Sequence, residues 1–202
     1  MDVYTGVVSN TRKGMVRKLL ELLKEKDIHT YTHSQRVMDL SVLIGFELKF
    51  SKQAIEDLAM AAFFHDIGKI AVPDRLLNKP NALTDEEKEV FRFHPRTSAG
   101  VLRTAGCSME CVKAVACHHE RYDGQGYPYV LQGENIPLSA RIISVADAYD
   151  SMTSERCYSA AYKKNEAIHR LISCKGTHFD SQITDVFVSR IEKPEVKMLE
   201  AV

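Results

Sequence analysis

Apolar residues in this chain recur at steps of three and four, segment after segment, and no stretch alternates with the period of two that a half-buried strand requires. Residues 11–26 carry Met15, Leu19, Leu22 and Leu23 at helical spacing among six basic residues. Residues 30–49 place Val37, Leu40, Leu43, Ile44 and Leu48 on one face of a second helix. Ser51 is an N-cap for a third helix ending at Phe64, and Thr84 with Glu87 forms a capping box for another that runs toward Pro95. Between these, residues 70–83 contain Pro73, Asp74, Asn78, Pro80 and Asn81, which is turn chemistry and reads as a structured loop. Further helices are predicted over 97–104, 109–118, 136–152, 165–174 and, after an Asp180 cap, 181–191. The expected fold class is therefore all-α, a helical bundle without internal repeat or low-complexity linker.

At 202 residues, 45% of them hydrophobic, the chain can bury a core of one domain plus a short appendage. Its 27 basic and 27 acidic residues balance, so no overall field attracts a nucleic-acid polymer or an anionic membrane. Any anionic ligand must be held by a local site. The five cysteines (Cys107, Cys111, Cys117, Cys157 and Cys174) are odd in number and form no CxxC pair, which reads as reduced thiols in a cytoplasmic protein. No apolar run reaches the length of a bilayer span, and the first residues lack the basic-then-apolar pattern of a signal peptide.

The apolar run at 58–64 ends on His65-Asp66, with Gly68 and Lys69 just beyond, so two metal-binding groups stand where a buried helix stops. His33, His94 and the pair His118-His119 also fall at the starts, ends or edges of predicted helices, and Asp147 lies on the apolar helix 136–152. Imidazole nitrogens with carboxylate oxygens suit iron, manganese, zinc and similar divalent ions, and seven such groups suffice for two neighbouring ions sharing one carboxylate.

The order His33-Ser34, His65-Asp66-Ile67-Gly68-Lys69, His94-Pro95, His118-His119-Glu120, Asp123-Gly124-Gln125-Gly126-Tyr127-Pro128 and Val145-Ala146-Asp147 resembles the HD-GYP domain, a branch of the HD-domain metal-dependent phosphohydrolases. The resemblance covers roughly residues 27 to 190. It implies an HD-domain helical bundle with a two-metal site that hydrolyses cyclic di-GMP. Carried over, His33, His65, Asp66 and Asp147 hold one ion and Asp66, His94, His118 and His119 the other. The implied ions are iron or manganese, with zinc, nickel or cobalt as alternatives. Asp66 and Lys69 are the implied catalytic residues, Lys69 offering its ammonium to a phosphate oxygen. Lys69, Asp123, Gly124, Gly126, Tyr127, Pro128 and Arg156 are the implied substrate contacts. Arg141 is expected to partner Asp123, and Glu120 to orient a histidine. Residues 1–26 read as a packed first helix or a connector, 27–192 as the catalytic domain, and 193–202 as a tail. Sensor, receiver or diguanylate-cyclase domains are the implied partners.

Three departures limit the carry-over. His29 stands where some members have a glutamate associated with a third metal, so two ions are expected here, with His29 left as a group that approaches metal or phosphate. Arg156-Cys157-Tyr158-Ser159 replaces Arg-Pro-Tyr-Arg, which removes one basic phosphate contact, and Tyr129-Val130 alters the pocket rim. A receptor that binds without cleaving, and a hydrolase of another nucleotide such as cyclic GMP-AMP, remain open on these residues.

Overall fold

The computed structural model describes residues 10–77, 79, 81–154 and 161–193. Helix α1 (Asn10–Lys26) is separated from α2 (Ile28–Glu47) by Asp27, whose carboxylate accepts from the His29 and Thr30 N–H groups and caps α2. In α1 the inward stripe is Val16, Leu19, Leu20 and Leu23, which keeps the expected Leu19 and Leu23, while Leu22 is exposed. Ser51 caps α3 (Lys52–Phe64), as its sequence predicts. The stretch expected to be a loop holds the end of a 3₁₀ turn, Ile67–Ala71, and a short α4 (Asp74–Leu77).

The Thr84–Glu87 capping box opens α5 (Asp85–Arg92), which buries none of its side chains. Pro95 does not end structure here. It sits in the first turn of α6 (His94–Thr104), where a missing N–H costs nothing because those donors have no intrahelical partner. After α7 (Met109–Ala116) come a 3₁₀ turn, Gly133–Asn135, then α8 (Leu138–Thr153), α9 (Lys164–Ser173) and α10 (Ser181–Glu192). Among the described residues there is no strand, only an isolated bridge between Lys175 and Phe179. No helix of the described residues is long and apolar enough to cross a membrane.

Helix α2 lies between α3 and α8, α7 packs on α3, α6 and α8, and α6 also rests on the Ile67–Ala71 turn. The core they enclose is built on Val37, Ile44, Leu58, Phe63, Phe64, Leu102, Val115, Ile142, Ile143 and Phe187, all essentially inaccessible. Phe63 and Phe64 are fully buried, so the next residues are delivered into the interior rather than to the surface. Gly68 sets how closely the turn approaches α6. A Cβ there would stand 2.3 Å from His94 O and 2.7 Å from Ser98 N, both main-chain atoms that cannot yield. Its own N–H donates to Ser98 Oγ at 2.8 Å.

The C-terminal helix is anchored by a buried ion pair. Asp180 caps α10 through the Gln182 and Ile183 N–H groups and accepts from Arg141 Nη1 at 2.5 Å, while Arg141 Nε donates to Ile136 O. This overturns the expected Arg141–Asp123 pairing: a guanidinium that is mostly out of solvent takes the carboxylate its own helix packs against. Asp180→Ala should cost about 3–5 kcal/mol, because it strands that guanidinium and uncaps α10. In a chain of this size the melting temperature should fall by roughly 6–20 °C, measurable by calorimetry.

Candidate active site

Helix ends and inner faces converge on the seven groups named from the sequence. His33 comes from α2, His65 and Asp66 from the end of α3, His94 from the start of α6, His118 and His119 from the turn after α7, and Asp147 from α8. Asp66 is at their centre, almost fully buried, with its two oxygens turned to different partners. Oδ1 lies 3.1 Å from His94 Nε2. Oδ2 lies 3.4 Å from His65 Nε2, 3.9 Å from His33 Nε2 and 2.5 Å from Lys69 Nζ. His94 Nε2 is in turn 3.3 Å from His118 Nε2 and 3.1 Å from His119 Nε2, and Asp147 Oδ1 is 3.2 Å from His33 Nε2. Donor atoms therefore gather as two clusters, Asp66–His94–His118–His119 and His33–His65–Asp66, sharing Asp66.

Local backbone explains why the rings point inward. His65, His94 and His118 each follow a helix terminus, where the last carbonyls have no intrahelical partner. Their Nδ1 atoms lie 2.7, 2.6 and 2.7 Å from Ala62 O, Phe91 O and Val115 O, three residues back in each case. A carbonyl can only accept, so Nδ1 carries the proton and Nε2 turns to the centre with its lone pair.

Such a cluster is poorly satisfied without a cation. His65 Nε2 and Asp66 Oδ1 are buried and make no hydrogen bond; the His94–Asp66 approach at 3.1 Å is close without being aligned. Burial holds the His118 ring far below its usual pKa, with His119, His65 and His94 adding to the effect, and burial takes His119 down to about 3. Both rings are neutral, and the Nε2 lone pair of His118 faces a neighbouring imidazole nitrogen. Burial would lower His33 too, but hydrogen bonds with Asp147 and Asp150 take it up to about 9, so a proton occupies the ring face turned to Asp147. Burial would raise Asp66 and Asp147, yet Lys69 and the histidines hold Asp66 well below the carboxylate range, and His33 does the same for Asp147. Ionised oxygens beside inward lone pairs are the donor set of a divalent-metal site, and the residues present fit such ions.

The loop that follows is held by its own side chains and, through the Tyr122 and Asp123 N–H groups, by His178 O and Thr177 O. Asp123 accepts from Arg121 Nε and Nη2 at 3.0 and 2.6 Å and from the Gln125 N–H, and the Arg121 bonds bring its carboxyl down to about 2. Glu120 turns away from the histidines: its buried carboxylate accepts from Tyr129 N at 2.6 Å and Leu131 N at 3.0 Å, so it orients a loop and not a ligand. Gly124 takes a positive φ of 80°. At Gly126 a Cβ would meet Arg121 N at 2.3 Å and Glu120 Cα at 2.5 Å. The Tyr127 ring stacks on His119 with centroids 4.9 Å apart, and Pro128 O accepts from Arg96.

His29 is exposed and belongs to neither donor cluster. Arg156, with Cys157, Tyr158 and Ser159, lies outside the described residues. Sequence reasoning missed Asp150 and Arg36. Both were detectable in principle, since each lies three residues beyond a named group, Asp147 and His33, and shares its helical face.

Residues 17–183 match the model of the HD domain family, and the chain belongs to that family. Its Asp123–Pro128 loop makes it a member of HD-GYP type. It is 41% identical over 170 residues to a cyclic di-GMP phosphodiesterase of Pseudomonas aeruginosa, an alignment that takes in 84% of this chain and 41% of that protein. It is 30% identical over 180 residues to a 3′3′-cGAMP-specific phosphodiesterase of Vibrio cholerae, over 88% of this chain and 34% of that one. The crystal structure of a cyclic GMP-AMP-specific phosphodiesterase from V. cholerae superposes with a TM-score of 0.66 at 20% identity, covering 89% of this chain and 48% of that chain. The chain spans less than half the length of the curated relatives it matches.

Glu120→Gln should separate loop support from metal support. Removing the charge from a carboxylate that holds two backbone donors should cost about 1.5–3 kcal/mol in thermal unfolding. Metal content by elemental analysis should be unchanged.

Proposed function

We propose that this chain is the catalytic unit of a metal-dependent phosphodiesterase that hydrolyses cyclic di-GMP to linear pGpG, with GMP as the further product. The observation that carries the reading is the Asp66 carboxylate, one oxygen toward each histidine cluster, with Lys69 on it and the Tyr127 loop against His119. The names of the curated relatives support the substrate class. His33, His65, Asp66 and Asp147 would hold one ion and Asp66, His94, His118 and His119 the other, with iron or manganese preferred and zinc, nickel or cobalt accepted by the same donors. Two ions supply what these side chains lack, Lewis acidity toward a water and toward phosphate oxygens.

The protein's part is orientation and charge. The carbonyls behind His65, His94 and His118 fix each ring, so no rearrangement is needed when a ligand arrives. Lys69 keeps a side chain 31% exposed while its ammonium rests on Asp66, which places a cation at the edge of the site where a phosphate oxygen gains charge as its ester bond breaks. Tyr127, whose hydroxyl burial keeps in the neutral form, walls the site beside His119. Asp123, Gly124 and Gly126 shape the loop, leaving Tyr127, Pro128 and Arg156 as the groups offered to the dinucleotide. Sensor, receiver or diguanylate-cyclase domains are the partners proposed, and the cytoplasm the compartment.

The relative named for 3′3′-cGAMP favours a second reading in which the preferred substrate is a mixed cyclic dinucleotide. Purified, manganese-loaded protein incubated with a panel of cyclic dinucleotides, followed by chromatography of the products, tests both. Linear pGpG released fastest from cyclic di-GMP is the expected result; binding without cleavage would establish a receptor instead. Lys69→Ala should lower turnover roughly a hundredfold with the ions retained. Elemental analysis should find close to two ions per chain in the wild type, loss of both in Asp66→Ala and of one in His33→Ala.

A further inference from the structure

Among the described residues, four histidines have a partner at Nδ1, and of these only His33 is oriented by a side chain. The reason is positional. His65, His94 and His118 stand beside helix termini with carbonyls to spare, whereas His33 sits inside α2, where the carbonyls three and four residues back are engaged in the helix. Its Nδ1 instead donates to Asp150 Oδ2 at 2.7 Å, from α8.

Asp150 is itself held from three sides. Arg36, one turn beyond His33 on α2, donates Nε to Oδ1 at 2.5 Å and Nη2 to Oδ2 at 3.0 Å, and Ser154 Oγ lies 3.1 Å from Oδ1. The Asp150 side chain is 4% exposed and that of Arg36 46%, so a buried anion is pinned by a residue that solvent still reaches. Three residues earlier on the same face of α8, Asp147 meets the opposite nitrogen of the same ring. The imidazole is therefore gripped at both nitrogens by one helix. Only the Asp147 side looks into the metal centre.

We infer that Asp150, held by Arg36, is a positioning residue that commits His33 to present Nε2 to one half of the metal centre, the half shared by His65 and Asp147. This rests on the metal centre proposed above and not on the identity of the substrate. The other half has no such dependence, because the Nδ1 partners of His94 and His118 are main-chain atoms that no substitution of those partner residues removes. The two halves of the site therefore differ in kind. His65, His94 and His118 are oriented by backbone carbonyls, whereas the His33 half also depends on a replaceable ion pair whose negative charge strengthens the His33 nitrogen as a donor.

The test measures manganese binding to the full chain, by elemental analysis and by competition with a chromophoric chelator, in the wild type, Asp150→Asn, Arg36→Met, His33→Ala and the His33→Ala/Asp150→Asn double variant. Asp150→Asn keeps the shape of the side chain and removes its charge; circular dichroism checks the fold, and Arg36→Met probes the same pair without touching Asp150. The expected result is one ion held as in the wild type and the other weakened about 10- to 100-fold in Asp150→Asn, with a smaller change in the same direction in Arg36→Met. The double variant should be no weaker than His33→Ala alone, because Asp150 acts through that ring. Two ions held as tightly in Asp150→Asn as in the wild type would overturn the inference, as would equal weakening of both ions or an additive double variant. A wild type that takes up no manganese would overturn the metal centre and this inference together. Because the readout is metal and not turnover, the expected pattern supports the inference even in a chain that fails to cleave cyclic di-GMP.

Discussion

A carboxylate buried between two groups of imidazoles governs this structure. In a dry interior an ionised Asp66 is costly, and inward-facing imidazole lone pairs beside it add to the cost. The protein offsets part of this with the Lys69 ammonium and part with the proton on His33, and divalent cations would complete the balance. The fold is arranged so that this can be done without an extended scaffold. Three of the rings are supplied by places where helices stop, since a helix terminus provides a free carbonyl to orient a ring and a change of chain direction to aim it.

Much of this was legible in the sequence because it rests on local rules. Three- and four-residue periodicity, the Ser51 and Asp180 caps and the Thr84–Glu87 box gave element type and most boundaries. Histidines at helix ends gave the cluster. What was not legible depended on which surfaces meet. The resemblance assigned Arg141 to Asp123 and Glu120 to a histidine, whereas the structure gives Arg141 to Asp180 on α10 and Glu120 to the main chain of Tyr129 and Leu131. In α1 the expected Leu19 and Leu23 do face inward, but several leucines lie close together, and packing against α2 and the Ile67–Ala71 turn takes Val16 and Leu20 rather than Leu22. The helix before Pro95 does end, at Arg92, but the next begins at His94 rather than at 97 because proline is equally suited to a first turn. Asp150 carried a signal, three residues from Asp147, but nothing local said that α2 would deliver His33 between them.

The Asp123–Pro128 loop is the counterpart of this inward-facing cluster. Its acidic residues are spent on the loop itself, Asp123 on Arg121 and Gln125, and Glu120 on the two backbone donors beyond the turn. That leaves a tyrosine ring and a proline, not charge, at the edge of the histidines. Steric shape is the property this edge offers, with the guanidinium groups of Arg92 and Arg96 lying over the Tyr127 and Tyr129 rings.

The absent side chain at Gly68 has a mechanical meaning. Where main chain touches main chain, no rotamer can absorb a displacement, so the spacing between the turn bearing Lys69 and the first turn of α6 bearing His94 is set at position 68. Helix α1 also rests on that turn. A larger residue at position 68 would therefore push the turn carrying the Lys69 ammonium away from the His94 imidazole, disturbing both sides of the site at once.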